Sequence, residues 1–373
     1  MSICGGYITS FAFWATRDDD GGGLPRLDYA AMGDLSAGVR EAKAMRLRMA
    51  ELGAFPGESA ALPENGTGGT GPKVRNSLHL IVPSRSKRSH APGVITHAPS
   101  KKIMTPPRLV TQVHGLQGAS QSNLVSNTYV RLPPNSFCEI GPGQYIASPE
   151  LTFYEIASRS NNIWRAVETG YLLCSAFSLS PLGYERIARR VPVTSRESIA
   201  QFLDAIPGAW GVDKARRALA YVRDECDSPP EIQLSMELGM PERVGGRGWP
   251  EHCAAYRIDL DSERYERMLD CEYVKADLYF PTNKSVLEYD SYEDHMGKWQ
   301  FDHTQKRAGV LRAMHYKVVS VTNGMVMNNR EFDDSLFTWE ETLGIPHKSP
   351  SHRTRNLQHE MHEFLIAPDR RRF

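Results

Sequence analysis

Three carboxylates in the C-terminal half of this 373-residue chain are placed where they could hold a cation. Asp277 lies in one apolar run, and Glu288 lies in the next. A turn centred on Thr282 and Asn283 would make these runs an antiparallel hairpin. In that register Asp277 stands opposite Glu288, and Asp290 shares the strand face of Glu288. Like charges this close repel, so the pattern predicts Mg²⁺ or Mn²⁺ bound by the three carboxylates.

Each of these residues also has a plainer interpretation. Asp277 and Glu288 could be exposed hairpin carboxylates, and Asp290 could be a surface residue at a strand end. His295 is a candidate general base because an imidazole titrates near neutral pH, although a single histidine is often structural. Arg307 could bind phosphate, or it could lie on the solvated face of its helix.

The elements that must position these residues form an α/β unit. A capping box at Ser228 opens a short helix, the hairpin follows, and an amphipathic helix leads to a strand at 316–322. Glu231 is at position N3 of that box, where it either caps the helix or belongs to the shell of a metal site. A helix, a hairpin, a helix and a strand predict a mixed sheet flanked by helices.

This constellation resembles the restriction-endonuclease-like (PD-(D/E)XK) superfamily, and within it the branch akin to very-short-patch-repair endonucleases. The stretch 213–231 is similar to the lead-in of that branch, so the resemblance covers about 213–322. It implies a metal-dependent DNA endonuclease with a restriction-endonuclease-like sheet. The resemblance is carried by Asp277, Glu288, Asp290, His295, Arg307, Leu311 and the strand 316–322. The first five of these residues form the catalytic site that the resemblance implies.

The sequence departs from the superfamily pattern in three places. Asp290 stands where the superfamily usually has Lys, Ser291 stands where the branch often has Gly, and His295 is displaced by one residue. The branch commonly lacks that Lys, which leaves His295 to activate water. The departures also support an alternative function, a non-catalytic DNA-binding regulator with a degenerate nuclease domain.

A second feature is the charge of the segment from Lys73 to Cys138, which contains nine basic residues and no acidic one. Its β-branched runs predict short antiparallel strands, with a basic hairpin around Arg85, Lys87 and Arg88. Such a segment could neutralise DNA phosphates, or it could be a basic surface that is balanced elsewhere. The predicted DNA-binding residues are Lys73, Arg75, Arg85, Lys87, Arg88, Lys101 and Lys102.

The region 76–157 also resembles, more weakly, the middle of AbiEi-type abortive-infection antitoxins. The resemblance is carried by the basic hairpin, by the run Gly141–Glu150 and by the helix that follows it. It implies DNA binding by a regulator and adds no catalytic residue.

The chain as a whole is predicted to be an α/β protein of the multidomain α+β type. Five segments are expected: an irregular and helical start with a Gly-rich linker (1–72), a basic β-rich domain (73–147), a helical block (148–227), the nuclease-like domain (228–345) and a poorly ordered basic tail (346–373). With 44 basic and 44 acidic residues, the net charge identifies no partner.

Composition and cysteine spacing point to a reduced, cytoplasmic protein. The six cysteines are far apart without a C-x-x-C pair, which argues against a zinc ribbon or a disulfide scaffold. No run approaches 18 apolar residues, so we expect no membrane partner. The sequence His359-Glu360-Met361-His362 is not a zincin motif, because the second His falls one position early, and it is expected to be an ordinary helix face.

Overall fold

A computed structural model describes residues 2–19, 23–32, 35, 39–52, 54, 78–81, 94–97, 132–180, 183–290 and 298–367. These residues form twelve α-helices and twelve β-strands, which confirms the mixed α/β class. The chain divides into two compact units. Unit 1 comprises Met1–Leu173 and Ser178–Ala220, and unit 2 comprises Cys174–Phe177 and Tyr221–Arg371.

The elements up to residue 219 are β1 Ile3–Gly5, α1 Ile8–Thr16, β2 Arg26–Leu27, α2 Val39–Glu51, β3 Leu78–Ile81, β4 Val94–His97, β5 Phe137–Gly141, β6 Gln144–Ala147, α3 Pro149–Arg159, α4 Ile163–Cys174, β7 Phe177–Ser180, β8 Gly183–Arg189, α5 Arg196–Asp204 and α6 Val212–Leu219. Six of these strands form one sheet in the order β2-β5-β6-β1-β3-β4, and β7 pairs with β8.

The pairing of β3 with β4 corrects the prediction of antiparallel strands in the basic segment. These two strands are parallel, with Leu78 opposite Val94 and Ile81 opposite His97. Parallel neighbours need a crossover connection and cannot be joined by a tight turn. The expected hairpin around Arg85, Lys87 and Arg88 is therefore wrong for the flanking strands. The predicted DNA-binding residues themselves, Lys73, Arg75, Arg85, Lys87, Arg88, Lys101 and Lys102, lie outside the described residues.

Two helices of unit 1 begin at serine side-chain caps. Ser148 caps α3 by accepting the Leu151 N–H, and Ser195 caps α5 by accepting the Ser198 N–H. The sixth helix instead begins after Gly211, whose backbone is left-handed (φ +77°). A side chain there would approach Ser158 Cβ to 2.7 Å, so close packing against α3 requires glycine.

The remaining elements are α7 Pro229–Gly239, β9 Cys253–Asp259, α8 Glu263–Leu269, β10 Tyr273–Phe280, β11 Ser285–Asp290, α9 Lys298–Ala313, β12 Lys317–Thr322, α10 Asn323–Met327, α11 Asn329–Leu343 and α12 His352–Ile366. In unit 2 the sheet has the order β12-β11-β10-β9, with β11 and β12 parallel and the other neighbours antiparallel.

Two hydrophobic cores hold this sheet. One includes Leu234 of α7 and Phe332 of α11 packed with Leu287 of the sheet. The other includes Leu311 of α9 and Val286, the residue before Leu287 in the same strand. Since successive strand residues point to opposite faces, helices cover both faces, as predicted. The α9 face carries the candidate site.

The C-terminal segment corrects the prediction of a poorly ordered tail after Gly344. Ser351 caps a fifteen-residue helix, α12, in which Met361, His362 and Leu365 are buried. His362 Nδ1 lies 3.0 Å from Glu237 Oε2 of α7, so this residue is not part of an ordinary exposed helix face. The apolar residues of α12 are sparse, which hid the helix from periodicity. Residues 368–373 lie outside the described residues.

Two whole-chain findings complete the fold. None of the six cysteines, all of which the structure describes, forms a disulfide, in agreement with their spacing. In the part of the chain that the structure describes, no helix combines the length and apolar character needed to cross a membrane.

Candidate functional site

The candidate site lies where the predicted hairpin opens. Leu278 pairs with Leu287 and Phe280 with Ser285, which is the register predicted from the turn. Beyond this pairing the Tyr289 N–H is bonded by a side chain: Asp277 Oδ2 accepts it at 2.6 Å. A side chain that bonds a strand amide in this way is fixed in position where β10 and β11 separate.

Glu288 is the most buried of the three predicted ligands, and it has a cationic partner. Its Oε2 lies 2.5 Å from Arg307 Nη2, and its side chain is 10% exposed. Arg307 also donates to the carbonyl oxygen of Lys275 in β10. Glu288 Oε1 is buried and accepts no hydrogen bond from the residues that the structure describes. One oxygen of Glu288 is thus neutralised, and the other is left without a donor.

Two more carboxylates complete the group. Asp290 is half-buried and accepts a hydrogen bond from the Ser320 hydroxyl of the parallel strand β12. Glu231 is buried at the start of α7, where it accepts the Asp227 N–H at 2.9 Å and the Ser228 hydroxyl at 2.8 Å. Glu231 therefore caps its helix and also faces Asp277 electrostatically. The capping interpretation of Glu231 is confirmed, and its place in the shell of a metal site stays a prediction.

The pKa values show how crowded this group is. Removal from water raises the pKa of Glu231 to about 8, with Asp277 as the second cause. Burial raises the pKa of Asp277 to about 6, against the Tyr289 N–H and Arg307, which lower it. The pKa of Glu288 is raised well above its usual range by burial and then by Asp277. The pKa of Asp290 is raised by burial.

Sequence reasoning missed one ion pair of this group. Asp227, just before the capping box, pairs with Lys275 Nζ at 2.9 Å, and it also interacts electrostatically with Asp277. Lys275 shares a strand face with Asp277, so the period of two was a usable signal. Ser320 could not have been found in this way, because its contact depends on the parallel register of β11 and β12. We define the acidic cluster as Asp227, Glu231, Asp277, Glu288 and Asp290.

The donor atoms of the cluster are of the type that a hard divalent cation prefers, but they are not arranged around a common ion position. Within the described residues, no three acidic, histidine or cysteine side chains are arranged to ligate a common ion. The reason is visible in the contacts: Glu288 binds Arg307, Asp277 binds the Tyr289 amide, and Asp290 binds Ser320. The unpaired Glu288 Oε1 and the all-oxygen donor set fit Mg²⁺ or Mn²⁺.

The remaining predicted catalytic residues divide into two groups. The structure brings Arg307 together with Asp277, Glu288 and Asp290. His295 lies outside the described residues, as do the basic residues predicted to contact DNA.

Comparison with known proteins adds no relative. No protein-family model, curated protein or solved structure matches this chain.

Proposed function

We propose that this protein is a divalent-cation-dependent DNA endonuclease of the restriction-endonuclease-like type. The observation that carries the proposal is the buried, unpaired Oε1 of Glu288, beside Asp277 and Asp290 in a group with more carboxylates than cations. Leaving a buried carboxylate oxygen without a donor is destabilising, so a fold keeps it where a ligand supplies the missing partner. The mixed sheet with helices on both faces supports the same assignment.

The residues of the chain have separate roles in this proposal. Asp277, Glu288 and Asp290 would hold Mg²⁺ or Mn²⁺, which when bound would polarise the scissile phosphate and acidify a water molecule. The Tyr289 amide fixes the orientation of Asp277. Arg307 offers a guanidinium for the charge that develops on the phosphate, and His295 is the proposed base. The basic residues of 73–102 would hold the DNA backbone.

A non-catalytic DNA-binding regulator is the second candidate, and one contact favours it. Arg307 already neutralises one oxygen of Glu288, as a cation would. A degenerate site in which an arginine has permanently replaced the metal would show this contact. In such a protein Asp277 would matter for folding alone.

Plasmid nicking separates the two candidates. Wild type should nick supercoiled DNA in Mg²⁺ or Mn²⁺, and Asp277→Ala should reduce nicking to background because it removes a ligand. DNA affinity should survive the substitution, since Asp277 contacts no base in this proposal. Asp334→Asn is the control, because Asp334 is an exposed carboxylate of α11 in the same unit. Absence of Asp277-dependent cleavage on duplex, nicked, single-stranded and mismatched DNA would leave the regulator.

A further inference from the structure

Three tyrosines form an aromatic cluster beside the sheet in unit 2. The rings of Tyr256 in β9 and Tyr279 in β10 are stacked, with centroids 4.3 Å apart and planes 23° apart. Tyr279 also meets Tyr316 edge to face at 6.1 Å. We call Tyr256, Tyr279 and Tyr316 the tyrosine platform.

The backbone of β9 is irregular beside Tyr256. Ala255 has a left-handed conformation (φ +51°), which an L-residue with a side chain rarely adopts. The register with β10 is the same on both sides of it, with Ala254 opposite Leu278 and Tyr256 opposite Ala276. Tyr256 remains 41% exposed, so part of this residue is accessible to a ligand.

The platform is continuous with the candidate active site. Tyr279 lies two residues after Asp277 in β10, so the two side chains share a face. Tyr279 also pairs with Val286, two residues before Glu288 in β11. A strand of nucleic acid with its phosphate at Asp277 and Glu288 would pass close to Tyr279.

Cations border the aromatic surface, as a polyanion requires. Lys284 Nζ lies 4.5 Å from the Tyr316 ring centre and donates to the carbonyl oxygen of Met314 at 2.9 Å; no carboxylate among the described residues pairs with it. Arg257, next to Tyr256, lies 4.0 Å over the ring of Tyr273 and pairs with Asp259 at 2.6 Å. Aromatic faces beside basic side chains are the usual means of binding single strands, because every base offers a π-face.

We propose that the tyrosine platform stacks unpaired bases of single-stranded nucleic acid next to the phosphate that is cut. The inference rests on the proposed nuclease function for the position of that phosphate. It narrows the substrate class to DNA that is single-stranded, frayed or mismatched near the cleavage point.

Fluorescence anisotropy with a labelled oligo(dT) strand tests the platform without any metal. In EDTA, Tyr256→Leu in the full chain should weaken binding about 5- to 100-fold, the usual effect of losing one stacked base. Tyr256→Phe should bind as wild type does, because it keeps the ring. Phe337→Leu is the matched control, since Phe337 is a 57% exposed aromatic residue of the same unit and should not affect binding. Tyr256→Trp should bind at least as tightly, and it tests the proposal if the leucine variant does not fold.

The outcomes separate this proposal from the nuclease. Wild-type affinity in Tyr256→Leu, or equal losses in the leucine and phenylalanine variants, would overturn the platform even if the protein cuts DNA. A selective loss in Tyr256→Leu would support the platform even if plasmid nicking fails.

Discussion

Unit 2 contains two groups of carboxylates that differ in their bonding partners. The first is the acidic cluster. The second, which we call the histidine cleft, lines a cavity of about 640 Å³ that includes Asp333 and Glu340. In the cleft, Asp333 lies 2.7 Å from both Arg247 and His359. Glu340 accepts the indole N–H of Trp249 at 3.1 Å and lies 2.6 Å from His347.

The two groups differ in whether every buried carboxylate oxygen has a partner. Asp333 and Glu340 each have a partner at both carboxylate oxygens, and we therefore call them balanced. In the acidic cluster, Arg307 serves Glu288 directly and Asp277 and Asp290 only electrostatically, and Glu288 Oε1 lacks a donor among the described residues. Balanced carboxylates stabilise structure, whereas unbalanced ones are useful only when something else binds.

The largest effect on stability should come from breaking the balance of the cleft. Asp333→Asn removes a charge that Arg247, whose side chain is 9% exposed, needs as a partner. We expect a loss of about 2 kcal/mol, because Asp333 itself is partly exposed, and a fall in melting temperature of about 4–8 °C. Urea denaturation measures the free energy, with Asp334→Asn as control. Unchanged stability in Asp333→Asn would remove the contrast between the two regions.

The acidic cluster should make the stability of the metal-free protein depend on pH. Folding raises the pKa of Glu231 to about 8 and that of Asp277 to about 6, so the folded protein retains protons that the unfolded chain has lost. Stability contributed by these protons is present at low pH and is lost as pH rises through the folded pKa values. In EDTA, the melting temperature should fall by about 3–6 °C between about pH 5 and about pH 8.5.

Glu231→Gln sharpens this test because glutamine resembles the protonated acid. The variant should lose less stability than wild type as pH rises, whereas Glu340→Gln, in the balanced cleft, should show the wild-type slope. Equal slopes of stability against pH in all three proteins would mean that folding does not raise the pKa of Glu231.

Local features of the fold were predictable from the sequence, and long-range pairings were not. The turn at Thr282 and Asn283 set the register of β10 and β11, and Ser228 and Ser195 mark helix starts through their own hydrogen bonds. The parallel pairing of β3 with β4 depends on strands joined across a long connection, which periodicity does not report.

The same division holds within the candidate site. The spacing of Asp277, Glu288 and Asp290 predicted that they lie close together, and their electrostatic coupling agrees. The sequence could not show that Arg307 reaches Glu288, since that contact depends on how α9 packs on the sheet. The burial of α12 was missed because polar contacts hold this helix, among them His362 with Glu237 and Gln358 with the Gly246 carbonyl oxygen, and its apolar residues are few.

Divalent-cation binding tests the central claim most directly, that the acidic cluster is unbalanced because it awaits a cation. Differential scanning calorimetry at neutral pH should show wild type stabilised by millimolar Mg²⁺ or Mn²⁺, by about 3 °C at a concentration tenfold above the dissociation constant. Glu288→Gln should lose most of this shift, while Glu340→Gln, which changes a carboxylate of the balanced cleft, should keep it. No shift in wild type, or the same shift in all three proteins, would contradict the account.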